Sequence, residues 1–290
     1  MSRAGREPDV VLITGASSGF GLLASIELAR RGWRVFASMR DLAKATPLLE
    51  AAARAGVALD TVALDVTRPD TIASAVADVR ARAGRIDVLV NNAGYALAGA
   101  FEDVEIDELR EQFETNFFGV VAVTKAVLPE MRARRSGRIV NISSISGRLA
   151  NPGTSSYCAS KFALEGLSES MRLELLPFGV FVVLVEPGSH KTDIFEKNRR
   201  IARRALKPES PYYAQAKVLE DFVERMLRRS KADPQAVARA IAHAASTPSP
   251  RLRYQVGKDA HGEEWAKRLV PYRVLERAIL RYTGLDASGG

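Results

Sequence analysis

The chain has 290 residues, of which 47% are hydrophobic and 26% charged, and its formal net charge at pH 7 is +8. This length and balance predict one large domain with a substantial core and exclude a disordered or fibrous chain. No run of about 18 apolar residues occurs and the amino terminus lacks an apolar secretory segment, so we expect a cytoplasmic protein.

The positive charge is concentrated near the carboxyl end. Residues 191–290 contain 21 of the 42 Lys and Arg but only 12 of the 34 Asp and Glu. A basic segment can attract nucleic acid, anionic membranes or acidic substrates. These cations lie in amphipathic helical patterns without a recognition motif, which favours a solvated helical surface and indicates no nucleic-acid partner.

A strand, a glycine-rich turn and a helix begin the ordered chain. Residues 9–14, DVVLIT, are typical of a buried parallel strand. The turn that follows, residues 15–21, has the spacing Gly-x-x-x-Gly-x-Gly. Glycines permit a tight turn and a close backbone approach, and the next helix, 20–31, offers free amides to a pyrophosphate. The pattern predicts a dinucleotide site.

Strands and helices then alternate along the chain. Such alternation predicts an α/β fold of the Rossmann type, a doubly wound parallel sheet of about seven strands flanked by helices. We expect a flexible amino terminus at 1–8, one domain at 9–258 and a basic amphipathic extension at 259–290. The predicted later strands are 34–39, 58–64, 86–90, 139–142, 180–186 and 252–256, and the predicted helices include 41–55, 69–83, 104–134 and 233–246.

Reactive side chains follow the strand at 139–142. Ser143 and Ser144 stand at the carboxyl edge of the predicted sheet, where open α/β sheets bind ligands. Tyr157 and Lys161 follow on a helix, and their i, i+4 spacing places the phenol and the ammonium on one face. A phenol titrates near pH 10 in water, and a neighbouring positive charge favours the phenolate. Tyr157 is therefore expected to exchange protons near neutral pH.

These residues carry a resemblance to a known family. Ser144, Tyr157 thirteen positions later and Lys161 four beyond resemble the Ser…Tyr-x-x-x-Lys signature of the short-chain dehydrogenases/reductases. The glycine turn and the run Asn91-Asn92-Ala93-Gly94 resemble motifs of the same family.

A finer resemblance lies in two segments. Residues 157–175 and the Ser-Met-Arg-Asp of residues 38–41 resemble the branch that contains 17β-hydroxysteroid and retinol dehydrogenases. The resemblance covers residues 9 to about 195 and hardly extends into the tail.

The resemblance implies hydride transfer between nicotinamide C4 and a carbonyl carbon. It implies that Tyr157 donates a proton to the developing alkoxide and that Ser144 hydrogen-bonds the same oxygen. Lys161 would stabilise the phenolate and anchor the nicotinamide ribose. Asn116 would hold a water that passes protons from Lys161 to solvent, although its position within 104–134 by itself indicates only a tolerated polar residue.

The end of the second strand predicts which nicotinamide cofactor binds. Met39 occupies the position of the acidic residue that binds the ribose hydroxyls of NAD, and Arg40 follows it. The resemblance also places Ser17 within reach of a 2′-phosphate. We therefore predict NADP(H) rather than NAD(H); the alternative is that Arg40 is a surface residue at the start of the next helix.

Further cofactor contacts are implied by the resemblance. Asp65 would accept a hydrogen bond from the adenine amino group, or would instead be a turn residue before Pro69. Pro187, Gly188 and Thr192 would contact the nicotinamide carboxamide. The full predicted cofactor set is Gly15, Ser17, Ser18, Gly19, Phe20, Gly21, Arg40, Asp65, Val66, Asn92, Ala93, Gly94, Tyr157, Lys161, Pro187, Gly188 and Thr192.

The carboxyl third is expected to determine the substrate. Residues 189–230 have a helical pattern, and in the family this segment is a lid over the substrate. His190 is predicted to be a solvent-exposed loop residue. The tail is predicted to pack on the protein in preference to a membrane. No cluster of residues has metal-ligand spacing, and the candidate substrate-pocket residues are Leu97, Leu149, Phe195 and Tyr212.

The leading hypothesis is an NADP(H)-dependent oxidoreductase that interconverts a ketone or aldehyde with an alcohol. The pocket residues favour a hydrophobic substrate that is steroid-, retinoid- or polyketide-like. The helices that contain Asn116 and Tyr157 are expected to form a homodimer or homotetramer. The alternatives are a 3-oxoacyl-carrier reductase that docks an acidic carrier, and a non-catalytic NADP-binding sensor or interaction protein.

Overall fold

A parallel sheet of seven strands is the centre of the computed structural model, which describes residues 7–190, 199–230, 232–257, 260, 262, 266–267 and 269–286. Its spatial order is β3-β2-β1-β4-β6-β7-β9. These strands are β1 (Val10–Ile13), β2 (Arg34–Met39), β3 (Asp60–Ala63), β4 (Val88–Asn91), β6 (Gly137–Ile142), β7 (Val180–Pro187) and β9 (Arg253–Val256). The predicted doubly wound parallel sheet is confirmed.

The strand order reverses between β1 and β4. The chain runs outward from β1 to β3 and returns to place β4 on the other side of β1, where Leu12 pairs with Leu89. In open α/β sheets, ligands bind outside the carboxyl ends of the strands at such a switch point. The reversal therefore locates the candidate site beside the glycine turn.

Helices cover both faces of the sheet. They are α1 (Gly19–Arg30), α2 (Thr46–Ala55), α3 (Pro69–Ala83), α4 (Ile106–Phe113), α5 (Gly119–Ala133), α6 (Ser155–Leu175), α7 (Tyr213–Arg229), α8 (Pro234–Ser246) and α9 (Tyr272–Thr283). Side chains of β1 and β2 alternate between the two faces. Val11 and Val35 pack against α1, α2 and α8, whereas Leu12 and Phe36 lie in the core under α3 and α5.

Two local features differ from the sequence prediction. The helix predicted over 104–134 is interrupted by a π-helical turn, Glu114–Phe118, between α4 and α5. The segment predicted to be helical over 189–230 instead contains a short strand, β8 (Arg199–Ile201), and turns before α7 begins. Strand β8 pairs in parallel with β5 (Ala96–Ala98), a long-range contact that periodicity cannot reveal.

No helix within the part of the chain that the structure describes is both long and apolar enough to cross a membrane.

Candidate active site

The glycine turn brings the backbone of β1 against the chain that follows β4. Gly15 and Gly19 have φ of +66° and +55°, a region that side chains other than glycine rarely adopt. A Cβ on Gly15 would lie 2.7 Å from the Cα of Ala93, and one on Gly21 would lie 2.5 Å from Nδ2 of Asn92. These contacts explain why small residues are needed on both sides of the turn.

Substitution of Gly21 by alanine should therefore destabilise the site. Overpacking of this kind costs about 1–3 kcal/mol, and the shift of Asn92 should also weaken nucleotide binding. Gly166→Ala is the matched control, because Gly166 also lies in a helix but a Cβ there meets nothing within 4 Å. That variant should gain up to about 1 kcal/mol from helix propensity. Thermal unfolding of both variants checks the prediction; equal Tm values would contradict it.

Asn92 and Thr14 fasten the turn to the sheet. The hydroxyl of Thr14 accepts hydrogen bonds from the backbone amides of Asn92 and Ala93, both at 3.0 Å. Nδ2 of Asn92 donates to the carbonyls of Thr14 and Gly15, each at 2.9 Å. One strand away, Nδ2 of Asn91 donates to Oδ1 of Asn141 at 2.9 Å. The Asn-Asn-Ala-Gly run thus joins β1, β4 and β6 at their carboxyl ends.

A cavity of about 370 Å³ opens at this edge, and we name it the glycine-turn cavity. It brings together most of the residues predicted to bind the cofactor, from four separate parts of the chain. It is lined by Gly15, Ser17, Ser18, Gly19, Phe20, Met39, Arg40, Lys44, Leu64, Asp65, Val66, Asn92, Ala93, Gly94, Tyr95, Thr115 and Arg200. Gly21 lies directly behind its wall, against Asn92.

Charges in the glycine-turn cavity favour an anion. Arg40 and Lys44 are both exposed to it, and neither forms an ion pair within the described part of the chain. The nearest carboxylate in sequence, Asp41, is directed elsewhere, because its Oδ1 accepts a hydrogen bond from the amide of Ala43 at 2.9 Å. Asp65 lines the cavity and also caps a turn, accepting from the amide of Thr67 at 3.0 Å.

Ser144, Tyr157 and Lys161 lie together beyond the end of β6. The Ser144 hydroxyl lies close enough to the Tyr157 hydroxyl to influence its pKa. Nζ of Lys161 lies 5.8 Å from the centroid of the Tyr157 ring and donates to the carbonyl of Ile142 at 2.8 Å. Ser143 differs, since its Oγ is buried without a hydrogen-bond partner in the described structure. The structure therefore places Ser144, not Ser143, beside the tyrosine.

Burial controls the ionisation of both groups. It raises the pKa of the Tyr157 phenol to about 12, and the nearby Ser144 hydroxyl opposes that shift. Burial lowers the pKa of the Lys161 ammonium to about 8, and the carboxylate of Glu165 opposes that shift. The expectation that Lys161 brings the phenol pKa down is not met, because burial dominates the shift and the Nζ of Lys161 is bonded to the carbonyl of Ile142.

Asn116 occupies the π-helical turn and is buried. Its Oδ1 accepts from the amide of Tyr95 at 3.1 Å, and its Nδ2 donates to the carbonyl of Tyr95 at 3.0 Å. Nδ2 also lies 3.3 Å from Oγ of Ser160, on the helix that carries Tyr157. These bonds tie the turn after β4 to α6 and occupy the asparagine amide.

The segment after β7 corrects one sequence prediction. Pro187 ends β7, and the amide of Gly188 donates to the carbonyl of Val256 at 2.9 Å. His190, predicted to be exposed, is only 1% exposed and packs edge-on against Phe20 of the glycine turn at 5.8 Å. The imidazole thus fills space between this loop and the turn. The predicted contacts Thr192 and Phe195 lie outside the described residues.

A second, largely apolar cavity of about 190 Å³ lies under α7, and we name it the lid cavity. Of the candidate substrate-pocket residues, Tyr212 lines this cavity, whereas Leu97 and Leu149 do not. Leu97 is instead buried in a small cluster with Tyr95, Ala202 and Ala205. The lining residues are Ala98, Gly99, Ala100, Phe101, Pro152, Gly153, Arg199, Ile201, Ala205, Leu206, Tyr212, Gln215, Ala216, Leu219, Glu220 and Leu285.

Six lining residues of the glycine-turn cavity were outside the predicted cofactor set: Met39, Lys44, Leu64, Tyr95, Thr115 and Arg200. Lys44 could have been found, as a cation one helical turn beyond Arg40. Arg200 had no local signal, because it reaches the cavity only through the pairing of β8 with β5, where it lies over the Tyr95 ring at 4.4 Å.

The switch point, the glycine turn and the cavity beside it define a Rossmann-type protein built to bind a nucleotide cofactor. Comparison with known proteins agrees. The family model described as short chain dehydrogenase matches residues 9–202. The chain therefore belongs to the short-chain dehydrogenase family, whose members are oxidoreductases that act on CH–OH or C=O groups with a nicotinamide cofactor.

Individual relatives support the same placement. The chain is 45% identical over 273 residues to the uncharacterized oxidoreductase YusZ of Bacillus subtilis (strain 168), covering 93% of this chain and 96% of that protein. It is 39% identical over 258 residues to retinol dehydrogenase 8 of Homo sapiens, covering 86% and 81%.

Among solved structures, a short-chain dehydrogenase from Streptomyces avermitilis has a TM-score of 0.78 at 37% identity and covers 97% of this chain and 98% of that chain. The branch indicated by the sequence motifs is confirmed.

Proposed function

We propose that the protein is an NADP(H)-dependent oxidoreductase that interconverts a hydrophobic ketone or aldehyde with its alcohol, using Tyr157 as general acid and base. The observation that carries this proposal is the arrangement of Ser144, Tyr157 and Lys161 at the end of β6. The bound nicotinamide supplies the hydride chemistry, and the residues of this chain hold the proton and the carbonyl.

Tyr157 is suited to give up a proton in the reductive direction. With a pKa of about 12, the phenol carries its proton at neutral pH. The Ser144 hydroxyl lies beside the phenol, so both oxygens can hydrogen-bond the carbonyl oxygen as negative charge develops there. Lys161, whose ammonium is buried beside the ring, would stabilise the phenolate that remains.

Two cations support a preference for NADP(H). Arg40 and Lys44 line the glycine-turn cavity, and Asp41, the carboxylate that follows Arg40, is engaged in capping the turn before α2. A 2′-phosphate beside Arg40 would form charge-assisted hydrogen bonds, each worth about 1.5–3 kcal/mol. Ser17, also in the lining, would supply a hydroxyl to the same phosphate.

The lid cavity supports a hydrophobic substrate. Its lining is mainly apolar, and it adjoins the catalytic helix because Gly153, four positions before Tyr157, is one of its walls. Retinol dehydrogenase 8, a relative of this chain, is named for an apolar alcohol. We infer that the reacting carbonyl binds at Tyr157 while the apolar body of the substrate extends toward Tyr212.

Exposed apolar side chains support a homo-oligomer formed through α5 and α6. Phe118, immediately before α5, is 50% exposed, and Leu173 on α6 is 74% exposed. Both lie on the helical stretches that contain Asn116 and Tyr157. A second copy of the chain that covers this surface would remove these side chains from water.

The proposal is tested by oxidation of NADPH with a panel of carbonyl compounds. Retinal, estrone and 2-undecanone represent extended apolar substrates, and acetone is the small control. We expect turnover with at least one apolar carbonyl and a kcat/KM for acetone lower by 100-fold or more, because each buried CH₂ contributes about 0.8 kcal/mol. Turnover of acetone as efficient as that of the apolar compounds would contradict the substrate class.

A further inference from the structure

Two glutamates are buried side by side behind the candidate active site. Glu165 lies on α6 one turn after Lys161, and Glu186 lies at the end of β7 immediately before Pro187. Their exposed fractions are 5% and 0%. A carboxylate removed from water in this way is costly unless it is paired or holds a proton.

One guanidinium serves both carboxylates. The side chain of Arg253, on the neighbouring strand β9, lies 3.0 Å from Oε2 of Glu165 and 2.9 Å from Oε1 of Glu186. Arg253 also contacts Glu169, a half-exposed residue one turn farther along α6. Arg253 is therefore shared among three carboxylates, two of them buried, and a proton on the buried pair would lower the cost of removing both from water.

The pKa of Glu186 agrees with this arrangement of charges. Burial, and next the negative charge of Glu165, raise the pKa of Glu186 to about 7, while a hydrogen bond with Gln255 and the charges of Arg253 and Arg148 oppose the shift. Two carboxyl groups held close together resist losing both of their protons. One proton therefore stays on the pair into the neutral range.

The sheet and helix α6 place the acid pair next to the backbone that holds Lys161 and next to the turn that carries Ser144. Ile142, whose carbonyl accepts from Nζ of Lys161, pairs in the sheet with Val185, the residue before Glu186. A Cβ on Gly147 would lie 3.0 Å from Cγ of Glu165. The carboxylate of Glu165 acts to keep the buried Lys161 positively charged.

We propose that the pair Glu165 and Glu186, which Arg253 bridges, holds one proton between its two carboxyl groups. We also propose that Glu165 is a positioning residue that holds Lys161 in its ammonium form. This inference rests on the proposed function, since it concerns the lysine that would anchor the cofactor and stabilise the tyrosinate. The charged and polar groups that face the pair are Lys161 and Glu169 on α6, Arg253 and Gln255 on β9, and Arg148 in the turn after β6.

Infrared spectroscopy tests the shared proton without any substrate. The carbonyl band of a protonated carboxyl should titrate in the neutral range in the wild-type protein and be absent in Glu186→Gln. In Glu165→Gln the band should titrate at lower pH, because the like charge beside Glu186 is gone. Glu174→Gln is the matched control, because Glu174 lies exposed on the same helix and accepts a hydrogen bond from Ser170, and it should keep the wild-type band. A wild-type protein without this band, or a band that persists in Glu186→Gln, would overturn the shared proton.

The pH dependence of NADPH binding tests the effect on Lys161. Because the pKa of Lys161 is about 8, NADPH affinity should fall as pH rises through that value. In Glu165→Gln the fall should move about one pH unit lower, since the ammonium loses its neighbouring negative charge. Glu165→Asp should restore most of the wild-type profile, and Glu174→Gln should not shift it.

Two outcomes would contradict the positioning role. One is a Glu165→Gln profile that coincides with the wild type, and the other is an equal shift in Glu174→Gln. A protein that binds NADPH with these profiles but reduces no carbonyl would instead contradict the proposed function, so the two failures are distinguishable.

Discussion

Tyr157→Phe is expected to reduce carbonyl turnover by about 10²–10⁴-fold, the range typical of a general acid. The substitution removes the phenolic hydroxyl beside Ser144 while keeping the ring in place. Affinity for NADPH should remain within about twofold, since the phenylalanine ring preserves the packing of α6 and every residue that lines the glycine-turn cavity is unchanged. Steady-state kinetics and NADPH titration on the same preparation measure the two quantities.

Tyr254→Phe is the control for loss of a tyrosine hydroxyl. Tyr254 is also buried, and its hydroxyl accepts a hydrogen bond from the amide of Arg251 at 3.1 Å on the far strand β9. This variant should keep its turnover. Full activity in Tyr157→Phe would remove the phenol from the acid–base role, whereas equal losses in both variants would point to a general effect on the fold.

Arg40→Asp is expected to weaken NADPH binding about ten- to a hundredfold, which corresponds to the loss of a charge-assisted contact of about 1.5–3 kcal/mol. NADH, which carries no 2′-phosphate, should lose far less affinity. Lys44→Ala should also weaken NADPH binding, because Lys44 lines the same cavity as Arg40. Fluorescence titration of each cofactor measures these ratios.

Arg54→Asp controls for the change in overall charge. Arg54 lies on α2, its side chain is exposed, and it is absent from the lining of the glycine-turn cavity. This variant should leave the NADPH-to-NADH ratio unchanged. Equal weakening of NADPH and NADH in Arg40→Asp would mean that Arg40 is not a phosphate ligand.

Features that depend on short stretches of sequence were predictable. The limits of β2 and of α3 agree with the predicted 34–39 and 69–83, because each has a clear apolar period and a proline or glycine boundary. The glycine turn was predictable for a similar reason. Its requirement for small residues follows from positive φ at Gly15 and from a close approach to Ala93.

Features that depend on long-range contacts were not predictable. Arg253 is 88 residues from Glu165, and only the pairing of β9 with β7 brings its guanidinium to the two glutamates. The burial of His190 against Phe20 likewise requires the folded loop. The π-helical turn at Glu114–Phe118 replaced a predicted continuous helix, because the amide of Asn116 bonds to the backbone of Tyr95.

The pKa of the Tyr157 phenol also depends on the folded environment and not on local sequence spacing. Sequence spacing correctly placed Lys161 on the same helical face, but it could not give the degree of burial. Desolvation raises the pKa of the phenol, and the lysine directs its Nζ to a backbone carbonyl. The direction of the shift thus came from the environment of the helix and not from its periodicity.

The cofactor claim is tested most directly by titrating the purified protein with NADPH and with NADH while following thermal unfolding. A ligand that binds only the folded state stabilises it by about 2.7 kcal/mol at 100 times its Kd. We expect NADPH to raise Tm at concentrations ten- to a hundredfold lower than NADH. Protection by NADH at equal or lower concentration would contradict the assignment of Arg40 and Lys44, and no protection by either would contradict the oxidoreductase proposal itself.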